Sequence, residues 1–123
     1  MNIIFGRENA DVMSKKYTVL ELDTVKLMPA GTSITAFCAV ENIPIVDMPR
    51  VDSMKSLHEN LLINYRKKDW NYCQQALEHL TGFWGHDLDT FYHDIGQRIA
   101  AYMETDPGPE WDGAIQKSVP HPN

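Results

Sequence analysis

Two runs rich in Val, Thr and Ile, YTVLELDTVKLM (residues 17–28) and TSITAFCAVENI (residues 32–43), are separated only by Pro-Ala-Gly. So short a gap between two strands leaves one simple geometry, an antiparallel hairpin turning on Pro29 and Gly31. If Met28 faces Thr32, Leu22 falls opposite Cys38 and Leu20 opposite Val40, and the alternation of side chains gives the sheet one apolar face. NIIF, ending at Gly6, supplies a short strand ahead of the hairpin, and RENADVMSKK one short helix between them.

Beyond the hairpin the period changes. PIVDMPR carries Pro44 and Pro49, which exclude a regular central strand, so it reads as a crossing segment. With Asp52 or Ser53 as N-cap, Met54, Leu57, Leu61, Leu62 and Tyr65 then recur at helical spacing. Asp69 caps a second helix with a stripe of Trp70, Cys73, Leu77 and Leu80, ending near Gly82. Asp87 caps a third, striped by Leu88, Phe91, Tyr92, Ile95, Ile99 and Tyr102. The segment after Glu104 holds four of the seven prolines and no apolar period. It is expected to be extended or disordered, with Trp111 as its one anchor, and to add little to stability. The fold class is therefore α+β: residues 1–104 form a small, mainly antiparallel sheet covered by about three helices, and residues 105–123 form a Pro-rich tail.

A chain of 123 residues with 43% hydrophobic content builds one modest core. Its 17 acidic against 11 basic residues give a net charge of −6, which disfavours a polyanion such as nucleic acid as partner. Such binding would need Lys15, Lys16, Arg66, Lys67 and Lys68 to converge on one face. No apolar run is long enough for a signal peptide or a membrane span, which implies a cytoplasmic protein with no membrane partner. Cys38 and Cys73 lack CxxC spacing and sit in apolar surroundings, so both read as buried free thiols.

The densest chemistry lies in EHLTGFWGHDLDTFYHD (residues 78–94), with His79, His86 and His93 seven apart. On one unbroken helix they would form a row, but Gly82 and Gly85 break it, and His79 and His93 point away from their apolar stripes. What survives is local: His86, Asp89 and His93, with Glu78 nearby. Two imidazoles and a carboxylate are donors for Zn, Mn or Fe(II) and would make the chain a small metal-binding protein or metal-dependent enzyme. The competing account needs no cofactor. In it Asp89 favours the positive end of a helix and pairs with His93 one turn on, and the stretch is a helix joint. Elsewhere, His58-Glu59 lacks the second histidine of HExxH, Gly6 alone makes no phosphate loop, and an apolar setting raises the pKa of Cys73 away from nucleophilic use. Phe83 and Trp84, bracketed by glycines at the joint, are expected to need a partner surface. The expected function is thus a non-catalytic interaction or regulatory module, most simply a homodimer, with a further protein partner an open possibility.

Two resemblances accompany this reading. ELDTVKLMPAGTSITAFCAVENI, NYRKKDWNYCQQALEHL and DTFYHDIGQRIAAY resemble the closing hairpin and helical tail of class III adenylate cyclases. Tyr65, Arg66, Asp69, Trp70, Arg98 and Tyr102 match that tail. The turn reads MPAG where the family has Lys-Gly, and the metal-binding aspartates of the cyclase core have no counterpart, so the resemblance implies no cyclase activity. IIFGRENADVMSKKYTVLELDT and NYRKKDWNYCQQALEHLTGFWG are similar to short proteins of marine phages and environmental sequences, which imply no particular chemistry.

Overall fold

The chain opens with β1 (Asn2–Phe5) and α1 (Arg7–Met13), followed by the hairpin of β2 (Thr18–Met28) and β3 (Thr32–Val40). A 3-10 turn (Ile45–Arg50) leads into α2 (Val51–Arg66), α3 (Trp70–Leu80) and α4 (His86–Glu104), and β4 (Ile115–Ser118) comes last. The computed structural model describes residues 2–41 and 43–118. They divide into two units, 2–41 with 112–118 and 43–111. The architecture is α+β, with a sheet in the order β1-β3-β2-β4 that is antiparallel except where β4 runs parallel to β2. β4 was not legible in the sequence, because four residues, IQKS, offer no periodic pattern to read.

In the sheet unit the hairpin is where the alternation placed it, but its register differs from the expected one. The turn holds four residues rather than three, so Leu27, not Met28, faces Thr32. Gly31 adopts φ 78°, its N–H donates to the Leu27 carbonyl at 2.7 Å, and the Met28–Pro29 peptide is cis. A second irregularity between Glu21 and Thr24 leaves one extra residue on β2. Leu20 therefore faces Cys38 and Thr18 faces Val40, correcting the expected pairs Leu22–Cys38 and Leu20–Val40. Two one-residue slips restore the parity, so Leu20 and Cys38 still share a face, and both are buried. α1 covers the opposite face. Its Ala10 is buried, and Arg7 reaches across to pair with Glu21 at 2.8 Å while its guanidinium carbon lies 4.8 Å from the centre of the Phe37 ring.

The helical unit follows its stripes closely. Asp69 caps α3 by accepting the Tyr72 N–H at 3.2 Å, as its position predicts. α2 begins earlier than expected: Arg50 is its N-cap, so neither Asp52 nor Ser53 is, and Ser53 donates back to the Arg50 carbonyl instead. His58, absent from the expected stripe, is fully buried, and its Nδ1 lies 2.9 Å from the Tyr92 hydroxyl on α4. A buried imidazole is tolerable in an apolar interior only because it is hydrogen-bonded.

Four rings gather at the other end of these helices: Tyr65 from α2, Trp70 from α3, Tyr102 from α4, and Trp111. Trp111 lies 5.1 Å from Tyr65, 5.7 Å from Trp70 and 5.2 Å from Tyr102, in edge-to-face geometry each time. Burial pushes the Tyr65 hydroxyl up to about 12 against the opposing pull of a hydrogen bond from Arg98. Residues 105–111 bend and turn rather than run extended, with the Trp111 N–H donating to the Gly108 carbonyl at 3.3 Å, and Lys68, itself at φ 64°, donates to Asp106 at 3.0 Å and to the Gly108 carbonyl at 2.9 Å. The expectation that this stretch adds little to stability is corrected by these contacts. A lone tryptophan in a Pro-rich segment looks optional until three rings on three helices are seen to receive it.

Trp111→Ala is expected to cost about 2 kcal/mol, below the range for a fully enclosed aromatic because Trp111 is only half-buried. Urea unfolding followed by circular dichroism measures this, and an unshifted midpoint would contradict the packing role. The Gly108 N–H, and then Lys68, hold the Asp106 carboxyl below its ordinary range. Its contribution is therefore present above that ordinary range and fades as pH falls through the lowered value. Asp106→Asn should remove this part of the acid sensitivity.

Candidate functional site

α3 ends at Leu80 and α4 begins at His86, and the chain between them turns on two glycines at positive φ, Gly82 at 92° and Gly85 at 108°. Side chains disfavour both conformations, which is why this corner reads GFWG. Asp89, in the first turn of α4, reaches back and accepts the Gly82 N–H at 2.7 Å. Thr81 donates to the Leu77 carbonyl at 2.7 Å. The corner is thus fixed from both sides.

The two aromatics of the corner behave differently from the expectation that both need a partner surface. Trp84 is 9% exposed and meets Phe83 edge to face at 4.8 Å. It is a core residue, and its buried indole N–H finds no acceptor among the described residues. Phe83 is half-buried, with the Arg50 guanidinium carbon 5.1 Å from its ring centre. Sequence reasoning placed both rings outward because it treated the corner as local, whereas Trp84 turns inward.

Beside Phe83 lies a recess of about 270 Å³ lined by Asp47, Arg50, His79, Thr81, Gly82 and Phe83. Asp47 and Arg50 come from the 3-10 turn, and the other four from the end of α3 and the corner. Arg50 meets the Phe83 ring and, at 4.0 Å, the Met54 sulfur. Among the described residues neither Asp47 nor Arg50 forms an ion pair. Sequence reading missed both, although their spacing of three inside a Pro-flanked segment was a usable signal: a 3-10 turn eclipses residues three apart.

The sequence-derived metal candidates are arranged otherwise. His79 is on α3, while His86 and His93 are exposed positions on α4, His86 as its first residue rather than just before it. Asp89 is directed at Gly82. The side chain of Asp87, expected to cap α4, lies outside the described residues, and Gly85 occupies the N-cap position. Among the described residues no three His, Cys, Asp or Glu side chains come together as a group able to hold a metal ion. Cys38 and Cys73 are buried, and neither is in a disulfide. Burial first, and then the Asp69 carboxylate, push the Cys73 thiol up to about 11. Tyr65, Trp70 and Tyr102, which carry the cyclase-like resemblance, pack in the ring cluster, and Asp69 is a helix cap.

No family model, curated protein or solved structure matches the chain. Among the described residues no helix is long and apolar enough to cross a membrane.

Two outcomes follow from these roles. Asp89→Ala, which strands the Gly82 N–H, should cost about 1 kcal/mol, whether or not a chelator is present, whereas His93→Ala should be nearly neutral. Were the three residues a metal site, chelator would lower the melting temperature and His86→Ala would abolish that effect. Cys73 should label slowly in the folded protein at pH 8 and rapidly in denaturant. Because folding raises its pKa, the stability due to the neutral thiol is complete below the ordinary value of 9.0 and is lost as pH rises toward about 11.

Proposed function

We propose that this protein is a non-catalytic interaction module that self-associates as a homodimer through the 3-10 turn. The observation that carries the proposal is the exposure of Ile45 at 89%, Val46 at 81% and Met48 at 55%, all within one six-residue turn. Single exposed apolar residues are ordinary, but three in four positions make a ridge. With three residues per turn, Ile45 and Met48 share one edge, Val46 and Pro49 another, and Asp47 and Arg50 the third. Two edges are therefore apolar, and the charged edge turns to the recess.

A second copy is the simplest occupant, because an apolar ridge is its own complement about a two-fold axis, whereas a charged one needs an opposite. Burying each of these side chains contributes about 1.5–3 kcal/mol. A standard interface of about 800 Å² per subunit would take a tenth of the 8001 Å² surface. Phe83, beside Arg50, would stand at the rim. A cytoplasmic setting is supported by two buried cysteines that are not in a disulfide.

Light scattering at micromolar concentration should give twice the 14.1 kDa chain mass, and Val46→Asp should give the single chain with an unchanged circular dichroism spectrum. Two chains of charge −6 repel each other, so added salt should tighten the dimer. A wild-type chain that stays monomeric at high concentration would overturn the proposal.

A further inference from the structure

We infer that the recess beside the 3-10 turn binds a small zwitterion of the amino-acid type, with its carboxylate on Arg50 and its ammonium on Asp47. Asp47 and Arg50 lie three residues apart in a segment with three residues per turn, so their side chains leave the same edge about 6 Å apart along the axis. Opposite charges so placed would be expected to neutralise each other. They do not: both line the same recess, and among the described residues neither has a charged partner. The reason is visible at Arg50, whose guanidinium is drawn onto the Phe83 ring at 5.1 Å and toward the Met54 sulfur at 4.0 Å. A cation held against an aromatic face and a carboxylate without a charged partner thus line the same small space.

That arrangement selects its ligand by charge pattern. A simple anion would satisfy Arg50 but meet Asp47, and a simple cation the reverse. A molecule with both charges a few ångströms apart satisfies both, and the planar guanidinium offers a carboxylate two parallel hydrogen bonds. The recess of about 270 Å³ falls just below the range typical of drug-sized ligands, a size suited to a free amino acid. His79 and the Thr81 hydroxyl add hydrogen-bonding groups to the wall, and Thr81 already donates its proton to Leu77 and so offers only lone pairs. Open space lies beside Gly82, where a Cβ would meet nothing within 4 Å, and its N–H is already held by Asp89.

The ridge of Ile45, Val46 and Met48 is a different edge of the same turn, so this inference does not rest on self-association. The test is a titration of the full chain, followed by the backbone amide resonances of Thr81 and Gly82, with a panel of the common L-amino acids and with acetate and methylammonium as single-charge controls. Saturable shifts are expected with at least one amino acid at millimolar concentration, with both controls weaker by about tenfold or more. Asp47→Asn and Arg50→Gln should each weaken that binding about tenfold without altering the circular dichroism spectrum. Val46→Asp should bind as the wild type does, whether or not it changes the oligomeric state. No saturable shift with any amino acid would overturn the inference. So would acetate binding as tightly as the amino acid, together with indifference to Asp47→Asn.

Discussion

The meeting of Tyr65, Trp70, Tyr102 and Trp111 is the contact on which the helical unit rests. Each ring comes from a different stretch of chain, so their packing, edge to face at Trp111 and tilted between Trp70 and Tyr102, fixes the ends of three helices and a following segment at once. The Lys68 ammonium closes the same end by holding Asp106 and the Gly108 carbonyl, and the fully buried His58–Tyr92 hydrogen bond ties α2 to α4 further along. With α2 and α3 fixed in this way, the 3-10 turn ahead of α2 and the corner after α3 are left as the walls of a recess. The aromatic residues position the site without belonging to it.

What the sequence made legible follows its periodicities. Three helices with uninterrupted stripes and a hairpin with a three-residue gap were readable, because each element repeats its signal several times. The register of the hairpin was not, since neither a four-residue turn nor an extra residue between Glu21 and Thr24 leaves a compositional mark. β4 failed for a related reason, being too short to show alternation. PIVDMPR was rightly read as no strand, but its two prolines concealed an ordered 3-10 turn, which accommodates Pro49 inside it.

The candidate site divides along the same line. The histidine row was correctly expected to break at Gly82 and Gly85, and the capping role of Asp69 was readable from its position alone. Trp84 was misplaced because the corner was treated in isolation, and His58 was passed over because histidine is not counted in an apolar stripe. Asp47 and Arg50 matter only through a three-residue repeat that helical and strand periodicities do not test for.

The pairing of β2 with β4 has a consequence for how the protein is made. Val25 finds its parallel neighbour only when Ile115 appears, so during synthesis the outer edge of β2 stands unpaired while all of α2, α3 and α4 are still being added. At about 5–20 residues per second that interval lasts several seconds, long enough for an uncovered strand edge on one ribosome to meet another on the same message. Lys26, within the stretch of that edge that β4 later pairs, is a charge of the kind that discourages such encounters, and in the finished fold it lies 4.0 Å from Asp112, just ahead of the strand that finally covers it.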